Sequence, residues 1–266
     1  MEKVTSADGT QIAFERTGSG PSLVLIHGGA AGDHTRWELA GVRAALAQHM
    51  TVYAVDRRGR GESGDGAKYA MELEYDDVVA VVDAISEPVI LLGHSSGALF
   101  AMEAALRTDS IRKLILYEPV FAIGDYEPYS EPLIAEMEAL LSEGKNEEAL
   151  ILFMQDAVNL TPEEIDALRE GPSWQRRLRA VHTIPREERT EGEYRFDAAR
   201  FRDMTTPTLL LVGDQSLPPF VQATEAVNEA LPNSRIFTFE GHGHVAMLTA
   251  TESFIEVVLA FAREAD

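Results

Sequence analysis

The sequence predicts an α/β fold: a mostly parallel, eight-stranded sheet with helices on both faces and a helical insertion. Three observations lead there. Short apolar runs alternate with longer segments of helical periodicity along most of the chain. Several of the runs, such as SLVLI and VILLG, are apolar at consecutive positions, as in strands buried on both faces. Residues 121–203 break the alternation, offering helical segments and no convincing strand before the sheet pattern resumes.

Taken in order, residues 10–17 (TQIAFERT) alternate like a strand and 22–28 (SLVLIHG) form an apolar run ending in glycine. Residues 34–48 have apolar positions at helical spacing, and 50–56 (MTVYAVD) read as a strand leading into the loop RRGRGESGDG. A helix is expected near 73–86, a strand at 88–93, a helix from Ser95 to Arg107 and a strand at 111–118. Within 121–203, helices are expected near 131–143, 146–158, 162–170 and 173–183. The third has Thr161 to cap it, Pro162 at its first position and Glu163 and Glu164 in its first turn. A strand at 206–213, a helix near 219–231, a strand at 234–240 and a C-terminal helix complete the series. The expected division is therefore a core formed by 1–120 and 204–266, with 121–203 inserted as a helical cap.

Composition limits the function classes. The 266 residues carry a formal charge of −21 and no cysteine. Disulfides, thiolate catalysis and zinc–thiolate sites are thereby excluded. Such a negative field repels nucleic acid and gives no support for binding anionic membranes. Residues 125–170 hold 13 acidic and two basic residues, which reads as a solvated face; a preference for neutral or cationic substrates is only a corollary. The first ten residues lack the apolar core of a secretory signal, and no run approaches the roughly 18 apolar residues of a membrane span. A soluble, cytoplasmic protein is expected, with no cofactor or metal required.

The residues that carry chemistry begin with GHSSG, 93–97, placed between a strand and a helix. In that context G-x-S-x-G marks a turn so tight that the central residue is strained and lifted above the strand ends. Ser95 is the nucleophile this predicts, and the amide dipoles of the following helix favour negative charge developing there. A Ser that merely caps the helix is the competing structural explanation.

HGG after the strand at 22–28, DRRGRGESG after the next, GHSSG, and a histidine near the C-terminus together resemble the α/β-hydrolase superfamily over essentially the whole chain. The resemblance implies acyl transfer through an oxyanion hole built from the amides of Ser96 and Gly29, each worth about 3–4 kcal/mol by analogy. It also implies that His27 props the Gly29 loop and that Asp56 and its neighbouring arginines are scaffolding. Ser rather than Asp at position 95 argues against haloalkane dehalogenase and epoxide hydrolase chemistry.

Relatives place the general base after the last strand, where Gly241–His242 and Gly243–His244 both fit; the spacing to Thr251, Glu252 and Phe254 favours His244. The acid departs from the common pattern. Three residues beyond Gly213, where relatives carry Asp, stands Ser216. The candidates are Glu118, at the end of the strand 111–118, and Asp214. Glu118 is preferred because zearalenone-type lactone hydrolases resemble that arrangement, pairing a G-x-S-S-G elbow with a Glu after the sixth strand. Trp174, Phe153 and Phe220, together with Tyr126, Tyr129 and Met154, suggest an apolar pocket for an ester or lactone. The expected activity is hydrolysis of a carboxylic ester or lactone through an acyl-enzyme. Perhydrolysis, C–C bond hydrolysis and cyanohydrin cleavage remain open, as does a slow-turnover receptor for a small molecule.

Overall fold

The computed structural model describes residues 1–126 and 130–265. Eight strands form one sheet: β1 (Glu2–Thr5), β2 (Gln11–Gly18), β3 (Ser22–Ile26), β4 (Thr51–Val55), β5 (Val89–His94), β6 (Ile111–Tyr117), β7 (Thr208–Gly213) and β8 (Ser234–Phe239). Their order is β1-β2-β4-β3-β5-β6-β7-β8. Only the β1–β2 and β2–β4 pairs are antiparallel; β4-β3-β5-β6-β7-β8 are mutually parallel. Central strands β3, β4, β5 and β7 are buried along their whole length, which is why their sequences are apolar at consecutive positions. The edge strand β1 is mostly exposed and polar, so no apolar run announces it.

Among the described residues eleven α-helices accompany the sheet: α1 (Val42–Leu46), α2 (Met71–Asp83), α3 (Ser96–Ala104), α4 (Glu131–Ser142), α5 (Asn146–Asp156), α6 (Pro162–Arg169), α7 (Trp174–Ala180), α8 (Ile184–Glu193), α9 (Pro218–Ala230), α10 (Ala246–Thr249) and α11 (Thr251–Arg263). Strand periodicity divides the core between the two faces. Leu91 of β5 faces α2, α3 and α9 through Val78, Val81, Leu99, Phe100 and Val227. Its neighbours Ile90 and Leu92 face the other way, among Val42, Leu46, Phe254, Val258 and Phe261 of α1 and α11. Full burial of each such side chain contributes about 1.5–3 kcal/mol, and this holds the sheet between two helical layers.

The single helix expected over 34–48 is not continuous. A 3-10 stretch, His34–Gly41, ends where Ala40 and Gly41 take left-handed conformations (φ 52° and 75°), and α1 starts afresh at Val42. Apolar spacing survives this break, so periodicity alone does not reveal it.

Between β6 and β7 the chain forms α4 to α8. Thr161 accepts from the Glu164 amide while Glu164 reaches back to the Thr161 amide, a complete capping box on α6. These helices have their own apolar core, which holds Met137, Leu150, Phe153, Met154, Ile165, Trp174 and Ile184 together with Ala31 of the loop after β3. That location corrects the expectation for Trp174 and Phe153: both are 4% exposed and pack helix on helix within this layer. A large aromatic in a thin helical layer is the side chain best able to fill it, whatever lies beneath. Tyr129, also expected at the pocket, lies outside the described residues. Helix α8 (IPREERTEGE) was not anticipated, because it has no apolar periodicity to read. It packs against α4 and α2.

Candidate active site

At the end of β5 the chain turns into α3 within one residue. Ser95 sits at φ 58°, ψ −127°, and makes no capping hydrogen bond to the helix it precedes. The turn depends on two glycines. A Cβ on Gly93 would lie 2.2 Å from the Gly97 carbonyl oxygen, and one on Gly97 would lie 2.5 and 2.6 Å from those of Ile26 and His27. Strain of this kind at a non-glycine residue persists only where the surroundings enforce it.

His244 follows β8, and its Nδ1–H donates to Glu118 Oε2 at 2.5 Å. Glu118 comes directly after β6, is fully buried, and takes a left-handed backbone conformation (φ 47°). Its other oxygen accepts from the Gly213 amide at 2.7 Å and from Ser216 Oγ at 2.5 Å. Asp214 instead is exposed and accepts from the Gly241 amide at 2.7 Å, tying together the loops after β7 and β8. Thus Glu118, rather than Asp214, meets the imidazole. His242 contacts Thr249 Oγ1 at 2.9 Å, a contact within its own loop. Ser95 Oγ and His244 are not hydrogen-bonded to one another; the partners of the imidazole ring include Glu118, Phe220 and His94.

Three side chains hold the imidazole, and motif reading did not find two of them. Phe220 stacks on His244 with ring centres 4.5 Å apart. His94 lies 4.6 Å away on ring centres and its Nε2–H donates to the His244 carbonyl at 2.8 Å. Burial first, then the neighbouring His244 and Arg36, hold the His94 pKa well below the usual imidazole value, so it stays neutral. Tyr117 Oη donates to the Gly243 carbonyl at 2.5 Å and accepts from the Ala246 amide at 2.7 Å, clamping the loop on both sides of His244. The x in a G-x-S-x-G motif and a Tyr ending a strand carry no signal of such roles by themselves.

The loop after β3 brings Gly28 and Gly29 against the elbow. A Cβ on Gly28 would stand 2.8 Å from Ser95 Cβ, and one on Gly29 3.4 Å from Ser96 Oγ. Among the described residues neither the Gly29 amide nor the Ser96 amide donates a hydrogen bond. His27 is fully buried; its Nδ1–H donates to the Gly28 carbonyl at 2.8 Å, and its Nε2 accepts from the Arg57 amide at 3.4 Å. Ala30 and Ala31 continue the loop in left-handed conformations (φ 56° and 53°).

The arginine loop is a buried frame. Asp56 Oδ1 accepts from the His34 amide and Nδ1 at 2.9 and 2.7 Å. Arg57 forks onto Glu74 at 2.7 and 3.1 Å, and Arg58 onto Asp77 at 2.7 Å through both nitrogens. Arg60 pairs with Glu187 and also donates to the Gly28 carbonyl at 3.1 Å. Asp33, His34 and Asp56 offer atoms close enough for a metal ion, yet the His34–Asp56 pair is already mutually hydrogen-bonded.

Helix α8 adds carboxylates that the motifs did not indicate. Ser96 Oγ donates to Glu191 Oε2 at 3.0 Å, and Glu188 Oε1 lies 4.0 Å from where a Cβ on Gly29 would stand. Burial, then the other carboxylates, push the Glu191 carboxyl up to about 7 and that of Glu188 well above the usual carboxylate range. Glu187, Glu188 and Glu191 stand at i, i+3 and i, i+4 spacing, and sequence alone assigns them no role.

Residues 23–257 match the model of the alpha/beta hydrolase family, and the chain belongs to that family. An alpha/beta hydrolase from Sphaerobacter thermophilus is similar in structure, with a TM-score of 0.83 and 34% identity over 98% of this chain and 99% of that one. A pimeloyl-[acyl-carrier protein] methyl ester esterase of Nitrosospira multiformis is 27% identical over 94% of this chain and 97% of its own. A 2-hydroxymuconate semialdehyde hydrolase of Pseudomonas sp. is 28% identical, covering 98% and 93% respectively. Among the described residues no helix is long and apolar enough to cross a membrane.

Proposed function

We propose that this protein is a serine hydrolase that cleaves a carboxylic ester or lactone through an acyl-enzyme. One observation carries the reading: Glu118 is bonded to His244, whose ring lies against His94, the residue before the strained Ser95. In this scheme His244, its Nδ1–H committed to Glu118, presents a lone pair on Nε2. It takes the Ser95 proton as Oγ attacks the carbonyl carbon. The tetrahedral oxyanion is received by the amides of Gly29 and Ser96 at the N-terminus of α3. His244 returns the proton to the leaving oxygen, and water repeats the sequence to release the acid. Glu118 keeps the tautomer and stabilises the imidazolium. Phe220 and Tyr126, whose rings meet edge to face at 6.5 Å, are the aromatic wall available to an acyl chain. The helices α4–α8 would serve as the cap, since α8 reaches Ser96.

Support for an ester comes from the esterase relative, and the lactone reading from the position of the acid. C–C bond hydrolysis is the second reading, favoured by the semialdehyde hydrolase relative. The test is labelling by a fluorophosphonate together with turnover of short-chain, long-chain and lactone esters. Labelling lost in Ser95→Ala is the expected result, and equal labelling of the variant would overturn the assignment.

A further inference from the structure

The buried cluster at α8 has more negative than positive charge. Arg57 is taken by Glu74 and, at 3.2 Å, by Glu187; Arg60 is taken by Glu187, Thr183 and the Gly28 carbonyl. Arg58, the third cation of the loop, is spent on Asp77 and Asp8. Neither Glu188 nor Glu191 forms an ion pair among the described residues; Arg57 acts on both and Arg60 on Glu188, but each guanidinium is bonded to other carboxylates. Glu191 is 2% exposed, and its Oε1 has no hydrogen-bond partner. Glu188 has no hydrogen bond either and retains partial access beside Gly29. Two carboxylates outside direct ion pairs, one with an orphaned buried oxygen, are costly in ionised form unless something positive or protic completes them.

Their position makes the deficit consequential. Ser96, whose hydroxyl binds Glu191, supplies an oxyanion amide, and Gly29, beside Glu188, supplies the other. Negative charge developing there would be repelled by ionised carboxylates and helped by a cation held between them. We propose that Glu188 and Glu191 form a cation subsite next to the oxyanion position, and that the substrate carries an ammonium group one or two carbons from the scissile carbonyl. This rests on Ser95 being the nucleophile. An ammonium supplies donors for Glu191 Oε1, Oε2 and Glu188 Oε1, and its charge offsets the surplus. The net charge of −21 would draw such substrates toward the protein.

Without ligand, burial and the neighbouring carboxylates favour the protonated form of both groups. The groups facing it are Glu187 on the same helix, Glu74 of α2, Arg57 and Arg60 of the loop after β4, Ser96 of α3 and Tyr126 after β6. Cation binding must displace those protons, so it strengthens as pH rises.

The experiment has two arms on the whole protein. Calorimetric titration with n-propylammonium chloride should show binding at least tenfold tighter at pH 8.5 than at pH 6, with n-propanol binding weaker than the ammonium. Glu188→Gln and Glu191→Gln, each checked for folding by thermal melting, should weaken the ammonium at least tenfold at pH 8.5. Equal affinities for the two ligands, no pH dependence, or folded variants that bind as the parent does would each overturn the subsite. If the variants do not fold, the parent's pH dependence and ligand comparison decide. In the second arm, kcat/KM for β-alanine ethyl ester should exceed that for isosteric ethyl butyrate at least tenfold at pH 8, and the ratio should collapse in the variants. Turnover of ethyl butyrate without this preference overturns the subsite and leaves the hydrolase reading intact. If neither ester is turned over and Ser95 does not label, the hydrolase reading falls, and the titration still decides whether the carboxylates hold a cation.

Discussion

Ser216 Oγ donates to Glu118 Oε1 at 2.5 Å. Ser216 occupies the place after β7 where the family's usual carboxylate would stand, three residues beyond Gly213. In this chain the position donates a hydrogen bond to Glu118, the proposed acid, rather than supplying a carboxylate. With the Gly213 amide and His244 Nδ1 on the same carboxylate, Glu118 has three donors fixing its orientation.

Glu118→Gln should lower kcat on an activated ester by roughly 10³–10⁴-fold, by analogy with removal of the acid in other serine triads. Asp214→Asn should change it less than about threefold, since Asp214 only ties loops at the surface. Steady-state kinetics of both variants checks this; the reverse ranking would mean that the imidazole has another partner during turnover.

Ser216→Ala removes one of three donors without touching the substrate. One hydrogen bond to a charged group contributes about 1.5–3 kcal/mol. With two donors left, kcat should fall roughly 3–30-fold with KM little changed. A rise in KM alone would instead place Ser216 in the binding of substrate.

Tyr117→Phe leaves the Gly243 carbonyl and the Ala246 amide without their shared hydroxyl. The expected destabilisation is about 1–3 kcal/mol. It should be read as a lower urea midpoint with unchanged slope, accompanied by slower turnover because His244 lies between those groups.

Gly97→Ala places a methyl 2.5 and 2.6 Å from two carbonyl oxygens of the loop after β3. Both are backbone atoms with no rotamer to escape into, so the loss should reach roughly 3 kcal/mol or more. Poor soluble yield or a strongly lowered Tm is expected; a parent-like Tm would show that the elbow and the Gly28 loop can separate.

Stability should fall as pH rises. The Glu191 carboxyl is raised from 4.5 to about 7 in the folded protein, and that of Glu188 is raised further. The unfolded chain therefore releases these protons from about pH 4.5 upward while the native state still holds them. His34, raised by Asp56 against the opposing effect of burial, adds in the same sense above its ordinary 6.5. Tm measured from pH 7 to 8.5 should decline, and Glu191→Gln should flatten the decline; below about pH 6.5 the depressed imidazoles of His27 and His94 pull the other way. A Tm that climbs steadily over this range would contradict the protonated state of α8.

Much of the sheet was legible because buried parallel strands leave continuous apolar runs, as in SLVLI, VILLGH and TLLLVG. β1 and α8 were not, because EKVT lies at an exposed edge and IPREERTEGE is polar nearly throughout. Periodicity reports burial, and these elements are defined by hydrogen bonding and by charge. Phe153 and Trp174 were legible as apolar but not as to where they pack, since a residue that fills a helical core and one that lines a pocket look the same in sequence.

By itself the sequence determined the α/β layering and the elbow around Ser95, because both rest on local chemistry: apolar period, and glycines where no Cβ fits. It left two carboxylates competing for the imidazole and did not single out the glutamates of α8. Only the tertiary structure decided those points. Glu118 meets His244 across 126 positions of chain, and Glu191 meets Ser96 across 95. Hydrogen bonding and charge compensation depend on such separations in space, and local sequence does not encode them.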